Sequence, residues 1–407
     1  MKNIIIFGLQ YESNLGDQVI GNCTRYLVDK ALYELRIRDN VEIREVDMLG
    51  RTSFQIPPSQ TRKKSKLKNF VKTFLPSSIV DAVNAKRNAF SDKQNVPSII
   101  VRTKNIVEMA IDDNTSAIII AGGGLIKYKA QEFYLLIDVI TESAKNHSIP
   151  VMLNAVGVEG YDSSSISCQR LKNALNRSCV KVITTRDDIA LLNEKYIAKD
   201  NIRTRRVPDP ALWVDEIYKP STIQNQCVGL SVARSNIFVE HGIKTSGKDL
   251  SQLWKEITDE LDRIDVSWKF FCNGTYADYE FLKTLINEYY ANRKIEDIAL
   301  LRAVDPRMLV DQINSFSTIL SVRLHAAIIS YAYKIPVVQL VWNEKQILFG
   351  KSIGYEDRFI TNNNFNAKYI VSKLLEANNI GYINYEEKDN RENTYSELLS
   401  FISKYFI

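Results

Sequence analysis

Histidine is scarce in this chain. His147, His241 and His325 are the only three among 407 residues, too few for a histidine-rich metal site. Cysteine is also sparse: Cys23, Cys168, Cys179, Cys227 and Cys272 are dispersed, with no Cys-x-x-Cys spacing. That excludes the common zinc motifs and a disulfide framework, and points to free thiols in a reducing compartment. No stretch reaches the roughly 18 uninterrupted apolar residues of a membrane span. Met1-Lys2-Asn3-Ile4-Ile5-Ile6-Phe7 is not an apolar segment followed by a small-residue cleavage site, so a cytoplasmic protein is expected rather than a secreted one. Nor does charge of one sign dominate. The net charge is +5, but residues 57–98 hold nine Lys/Arg against two Asp, which leaves the rest of the chain slightly negative. Basicity confined to one segment argues against nucleic acid as a partner.

What is present is an ordinary soluble mix, 45% hydrophobic and 25% charged, which supplies cores of normal size. At 407 residues the chain exceeds one ordinary domain, and two of comparable size are expected. Asn3–Phe7 is an apolar β-rich run, followed by a Gly/Asn turn and an amphipathic stretch, Asp17–Leu35. Ala117–Ala121, Val151–Val156 and Val180–Thr184 are further short apolar runs, each followed by a loop and a helical pattern. A second series begins near Cys227: Val228–Val232, Leu250–Ile264, Val266–Cys272, Tyr276–Ala291, Thr318–Val322, Leu324–Tyr333 and Pro336–Val341. Short buried runs alternating with helices predict parallel sheets covered on both faces. The expected fold is therefore α/β, with two doubly wound, Rossmann-like domains facing a cleft. The segment Val207–Gln226, with Pro208, Pro210 and Pro220, is the predicted linker. It divides the chain into residues 1–215 and 222–385, with a last helix within 386–407 free to pack back on the first domain.

One insertion breaks the rhythm between Arg51 and Pro97. Within its Arg62–Leu75 stretch, Leu67, Phe70, Val71, Phe74 and Leu75 follow helical spacing opposite a lysine-rich face. Such a helix either lies on an anionic membrane surface or packs its apolar stripe on its own domain.

Four constellations carry chemistry. Gly8–Asp17 follows the first strand, where an open parallel sheet places ligands, but lacks the GxGxxG dinucleotide spacing. Gly16 and Asp17 there either make a turn and cap a helix or bind a substrate. Ala121-Gly122-Gly123-Gly124-Leu125 is a loop that permits close backbone approach. In Thr184-Thr185-Arg186-Asp187-Asp188 an arginine ends a strand and points to the cleft, while the carboxylates suit a helix first turn. Ser321-Val322-Arg323-Leu324-His325 puts an arginine at a strand end and a histidine at a helix start, with Asn343-Glu344-Lys345 after the next strand. Three such cations suit an anion with two charged ends. Arg234, Asn236 and His241, after Ser231, are further cleft candidates, or simple loop polars.

These residues resemble the polysaccharide pyruvyltransferase family: Asn14-Leu15-Gly16-Asp17, Gly122–Gly124, Thr185-Arg186-Asp187, Gly229-Leu230-Ser231 and Ser321-Val322-Arg323-Leu324-His325, in that order. The resemblance implies a GT-B-like architecture and transfer of the enolpyruvyl unit of phosphoenolpyruvate to a sugar as a ketal, in capsule or exopolysaccharide synthesis, with no cofactor. It implies that Arg186, Arg323, His325 and Lys345 surround phosphoenolpyruvate, with the phosphate near Leu324. Asp17 and the Gly122–Gly124 loop would face the acceptor; Asn14, Gly123, Gly124, Ser231 and Arg234 are the further substrate-binding candidates. Gln18, where the family usually has an acid, and the long basic insertion both depart from the pattern on the acceptor side. Arginine forks match phosphate and carboxylate. His325 would either protonate the methylene carbon as imidazolium or bind the phosphate. No metal is required by these residues. A glycosyltransferase using a nucleotide sugar and a non-catalytic sugar-phosphate binding module are the competing readings. A membrane-seeking insertion would favour a polyprenol-linked acceptor and a place at the inner membrane face.

Overall fold

The strand Lys2–Gly8 (β1) is buried on both faces, with Ile4 and Ile6 turned to one core and Ile5 and Phe7 to another. A period-2 strand with no polar face demands helices on both sides. The computed structural model describes residues 1–54, 96–129, 132–221, 224–234, 236–243, 245–383, 385 and 390–406. The expected amphipathic helix at 62–75 lies outside the described residues.

The first sheet adds Val41–Asp47 (β2), Thr115–Ala121 (β3), Val151–Val156 (β5), Val180–Thr185 (β7) and Arg203–Arg206 (β8) to β1. A short ribbon of Ile126–Lys127 (β4) and Val158–Glu159 (β6) sits beside it. Its order is β2-β1-β3-β5-β7-β8, and every pairing is parallel. The second sheet comprises Val228–Ser231 (β9), Trp268–Phe271 (β10), Thr318–Ser321 (β11), Val337–Leu340 (β12) and Phe359–Ile360 (β13), in the parallel order β10-β9-β11-β12-β13. Both sheets reverse direction beside their first strand, and the carboxyl ends there form the crevice where such sheets take ligands.

Among the described residues three apolar cores follow. One covers the outer face of the first sheet and one the outer face of the second. The third is shared: Ile4, Val19 and Leu27 of the first domain pack with Phe271, Ile319 and Ile329 of the second and with Leu398 and Phe401 of the last helix. That helix, Glu392–Tyr405, returns to the first domain. It buries Glu397 between Arg203 and Arg205 at 2.7 Å each, and Thr394 donates to the Pro208 carbonyl at 2.6 Å.

The proline-bearing segment is not a free connector. Asp209 and Pro210–Trp213 are buried, and Lys30 stacks over Trp213 at 4.3 Å. Pro210 opens a helical turn, where a missing N–H costs nothing. All five cysteines are unpaired, four of them buried.

Candidate active site

The helix Leu15–Glu34 begins at the carboxyl end of β1. Its N-cap Asn14 makes no side-chain cap; instead its Nδ2 donates to Asp17 Oδ2 at 2.9 Å. Asp17 therefore does not cap the helix, and Gly16 does not make a left-handed turn. Gly16 is required for contact: a Cβ there would lie 2.2 Å from Cγ of the His325 ring, which reaches across from the second domain. The glycines after β3 make room for acids. A Cβ on Gly123 would meet Asp17 Oδ1 at 2.4 Å, and one on Gly124 would meet Glu159 Oε1 at 3.0 Å.

Arg186 directly follows β7, with its side chain 5% exposed. Its guanidinium pairs with the buried Asp209, and Nη1 donates to His325 Nε2 at 3.2 Å. A guanidinium only donates, so Nε2 of His325 is the acceptor and the ring's proton sits on Nδ1. The two adjacent acids divide their work. Asp188 caps the following turn through the Leu191 N–H at 2.9 Å, whereas Asp187 turns inward and accepts from the Val158 N–H at 3.2 Å.

In the second domain, Ser321 accepts no ligand position; its hydroxyl donates to the Arg323 carbonyl at 2.7 Å and shapes the turn. Arg323 forks onto the fully buried Asp278, Nε to Oδ2 at 2.9 Å and Nη2 to Oδ1 at 2.8 Å. Leu324 and His325 open the buried helix Leu324–Ala332, whose first N–H groups face the crevice and favour an anion. Lys345 stands in the first turn of Glu344–Ile353, fixed by an Asn343/Gln346 capping box. Its ammonium is held by Glu159 of the first domain at 3.0 Å, and Lys127 shares that carboxylate at 3.2 Å.

A cavity of about 490 Å³ between the domains gathers Asn14, Asp17, Gly124, Arg186, Arg234, Arg323, Leu324, His325 and Lys345. His241 also lines it, its ring edge on Trp342 at 4.5 Å. Gly122, Gly123, Ser231 and Asn236 are not brought there. Gly123 is shielded behind Asp17. Ser231, at the end of β9, is fully buried and faces Asn273 at 3.5 Å. Asn236 is exposed and donates to Glu240. Burial pushes the Asp17 carboxyl up to about 6 against the pull of Arg186. Burial, with Arg186 beside it, pushes the His325 imidazole down to about 3. Both effects favour a neutral His325 in the free site, whereas of the two roles open to it the acid requires an imidazolium. Among the described residues no three or more His, Cys, Asp or Glu are grouped to hold a metal ion, and no helix is long and apolar enough to cross a membrane.

A family model for polysaccharide pyruvyl transferase matches residues 14–344, from the asparagine beside Asp17 to the turn that carries Lys345. The chain belongs to this family. A search of curated proteins returns no match. Solved structures share the fold of this chain at low identity. The UDP-GlcNAc 2-epimerase of Methanocaldococcus jannaschii aligns at 11% identity over 99% of both chains, with a TM-score of 0.58. That of Neisseria meningitidis, bound to UDP-GlcNAc, aligns at 11% over 99% of this chain and 100% of its own, with a TM-score of 0.53. A co-structure of S. aureus MnaA with UDP aligns at 12% over 100% and 97%, with a TM-score of 0.55. The chain thus has a GT-B-like α/β fold of two doubly wound sheets.

Its carboxylates were the residues that sequence reasoning missed. Asp209 lies in the supposed linker, Glu159 on a two-residue strand, and Asp278 in a helix first turn, and none carries a motif. Burial pushes the Glu159 carboxyl up, but Lys345 and Lys127 outweigh it and hold it at about 2. An anion entering the cavity must compete with Glu159 for Lys345. Glu159→Gln is expected to tighten inorganic phosphate binding about fivefold, equivalent to roughly 1 kcal/mol, measured by calorimetry; weaker binding would mean that Glu159 positions Lys345 for the anion.

Proposed function

We propose that the protein transfers the enolpyruvyl unit of phosphoenolpyruvate to two hydroxyls of a sugar, giving a pyruvate ketal and phosphate. The observation that carries this reading is the meeting of Arg186 from one sheet with Arg323, His325 and Lys345 from the other in one cavity. The donor's phosphate and carboxylate need such forks and ammonium groups.

In this reading a proton adds to the methylene carbon, making it a methyl group and leaving positive charge on the central carbon. One hydroxyl oxygen bonds to that carbon as its bond to the phosphate oxygen breaks. The second hydroxyl closes the ring. The two hydroxyl protons replace the one given to the methyl group and the one that leaves with phosphate. Arg186 and Lys345 stabilise the departing anion. Asp17, largely ionised at neutral pH, takes the proton of the attacking hydroxyl. The incoming donor draws Arg186 toward its phosphate and brings its own negative charge against the ring. Together these oppose the burial and the Arg186 charge that keep His325 neutral, and so let it serve as the acid.

Donor binding at pH 7 is accordingly expected to take up a proton, read from calorimetry in buffers of different ionisation enthalpy, and the uptake to vanish in His325→Gln. Unchanged uptake in that variant assigns the proton to Asp17 and leaves His325 a phosphate ligand. The value of kcat/KM is expected to fall as pH drops through about 6, where Asp17 becomes protonated.

The test of the reaction is incubation with phosphoenolpyruvate and a panel of sugars, free and polyprenol-linked, following phosphate release and product mass. Acceptor-dependent release with a ketal product supports the proposal. Two structural neighbours were solved with UDP-GlcNAc or UDP, which favours a nucleotide-sugar transferase as the second reading. Binding of UDP-sugars in place of phosphoenolpyruvate would establish it.

A further inference from the structure

We infer that Asp278 is a positioning residue: it locks Arg323 so that the outer edge of the guanidinium, and no other, is offered to an oxyanion in the cavity. Asp278 is fully buried at the third position of the helix Tyr276–Tyr289. A carboxylate there would ordinarily serve its own helix, but this one leaves it. Oδ2 accepts from Nε of Arg323 at 2.9 Å and Oδ1 from Nη2 at 2.8 Å. Oδ1 also accepts the backbone N–H of Arg234 at 2.9 Å.

Asp278 thus ties together the loops after β9, β10 and β11. The fork consumes the inner edge of Arg323 and fixes the guanidinium plane. Among the described residues Nη1 of Arg323 donates to nothing, and Arg323 lines the cavity. That outer edge still carries two parallel N–H groups, the arrangement that meets two oxygens of one ligand group. An arginine held in this way loses little side-chain freedom when the ligand arrives.

Two effects of Asp278 on an anion have opposite signs. Its negative charge repels the ligand, while its fork orients the cation that binds it. The inference is that orientation wins. It rests on the reading of the cavity as an anion site, and the test separates the two.

Calorimetric titration with phosphoenolpyruvate compares wild type, Asp278→Asn, Arg323→Ala and the double variant. Asp278→Asn is expected to weaken binding about tenfold, and to have no further effect once Arg323 is alanine. Binding that is unchanged or tighter in Asp278→Asn overturns the inference, as does an equal loss in the Arg323→Ala background. Should Asp278→Asn not fold, Asp278→Glu keeps the charge and moves the fork by one methylene; the same tenfold loss, at unaltered thermal stability, is then expected, and full affinity overturns the inference. Wild-type protein that ignores phosphoenolpyruvate overturns the donor reading. The cycle is then run with inorganic phosphate, for which the same pattern is expected, and absence of phosphate binding overturns the positioning role as well.

Discussion

Gly16→Ala is expected to lower turnover by roughly 100-fold while leaving the protein folded. The added methyl carbon would lie 2.2 Å from Cγ of His325 and 2.3 Å from its Cβ and Nδ1. The ring has nowhere to retreat. It is 6% exposed, its helix is buried along its whole length, and Nε2 is engaged by Arg186 at 3.2 Å. The strain is relieved only by moving the ring or by parting the domains, and either shift displaces His325 on the scale of an ångström. Stability should change less. Alanine is the better helix former by about 1 kcal/mol, which offsets part of an overpacking cost of roughly 1–3 kcal/mol. Melting curves and steady-state kinetics of the same preparation check both halves. Turnover within a few fold of wild type would show that His325 is not needed where the structure holds it.

Gly16 also marks where sequence reasoning stops. Its neighbours suggested a turn glycine and a helix cap, since those are the local uses of Gly-Asp, and nothing local announces a histidine 309 positions later in the chain. The apolar runs at Asn3–Phe7, Ala117–Ala121, Val151–Val156 and Val180–Thr184 were legible because central parallel strands are buried on both faces. The edge strands were not. Val41–Asp47 exposes one face, and Arg203–Arg206 is wholly polar because Glu397 of the last helix compensates two of its arginines. The same asymmetry holds at the site. Arg186 and Arg323 stand out because each follows an apolar run, whereas Asp209, Glu159 and Asp278 gain meaning only from partners 23, 186 and 45 residues away. Cations were readable from strand ends; the carboxylates that hold them were not.

Asp209→Asn is expected to destabilise the protein by roughly 3 kcal/mol, the usual cost of leaving one partner of a buried ion pair uncompensated. Arg186 is almost wholly buried and its close partner is Asp209; Asp187 stands off at 3.9 Å. Asparagine has the same shape but removes the charge, so the guanidinium must find another anion or draw water into the site. Phosphate supplies such an anion. Inorganic phosphate should therefore raise the melting temperature of Asp209→Asn by more than it raises that of the wild type, although the variant starts several degrees lower. Catalysis should not recover with stability. Asp209 Oδ2 also lies 3.8 Å from His325 Nε2, and its charge favours the charged ring, against Arg186, Lys345 and Arg323. Without it His325 becomes harder to protonate, and a product phosphate bound more tightly to Arg186 leaves more slowly. Turnover is expected to fall by at least 100-fold, a loss of roughly 3 kcal/mol in transition-state stabilisation, with phosphate becoming a stronger inhibitor. A variant as stable as wild type, or one whose stability ignores phosphate, would show that the charge of Arg186 is balanced elsewhere and that Asp209 serves only to cap the turn at Ala211.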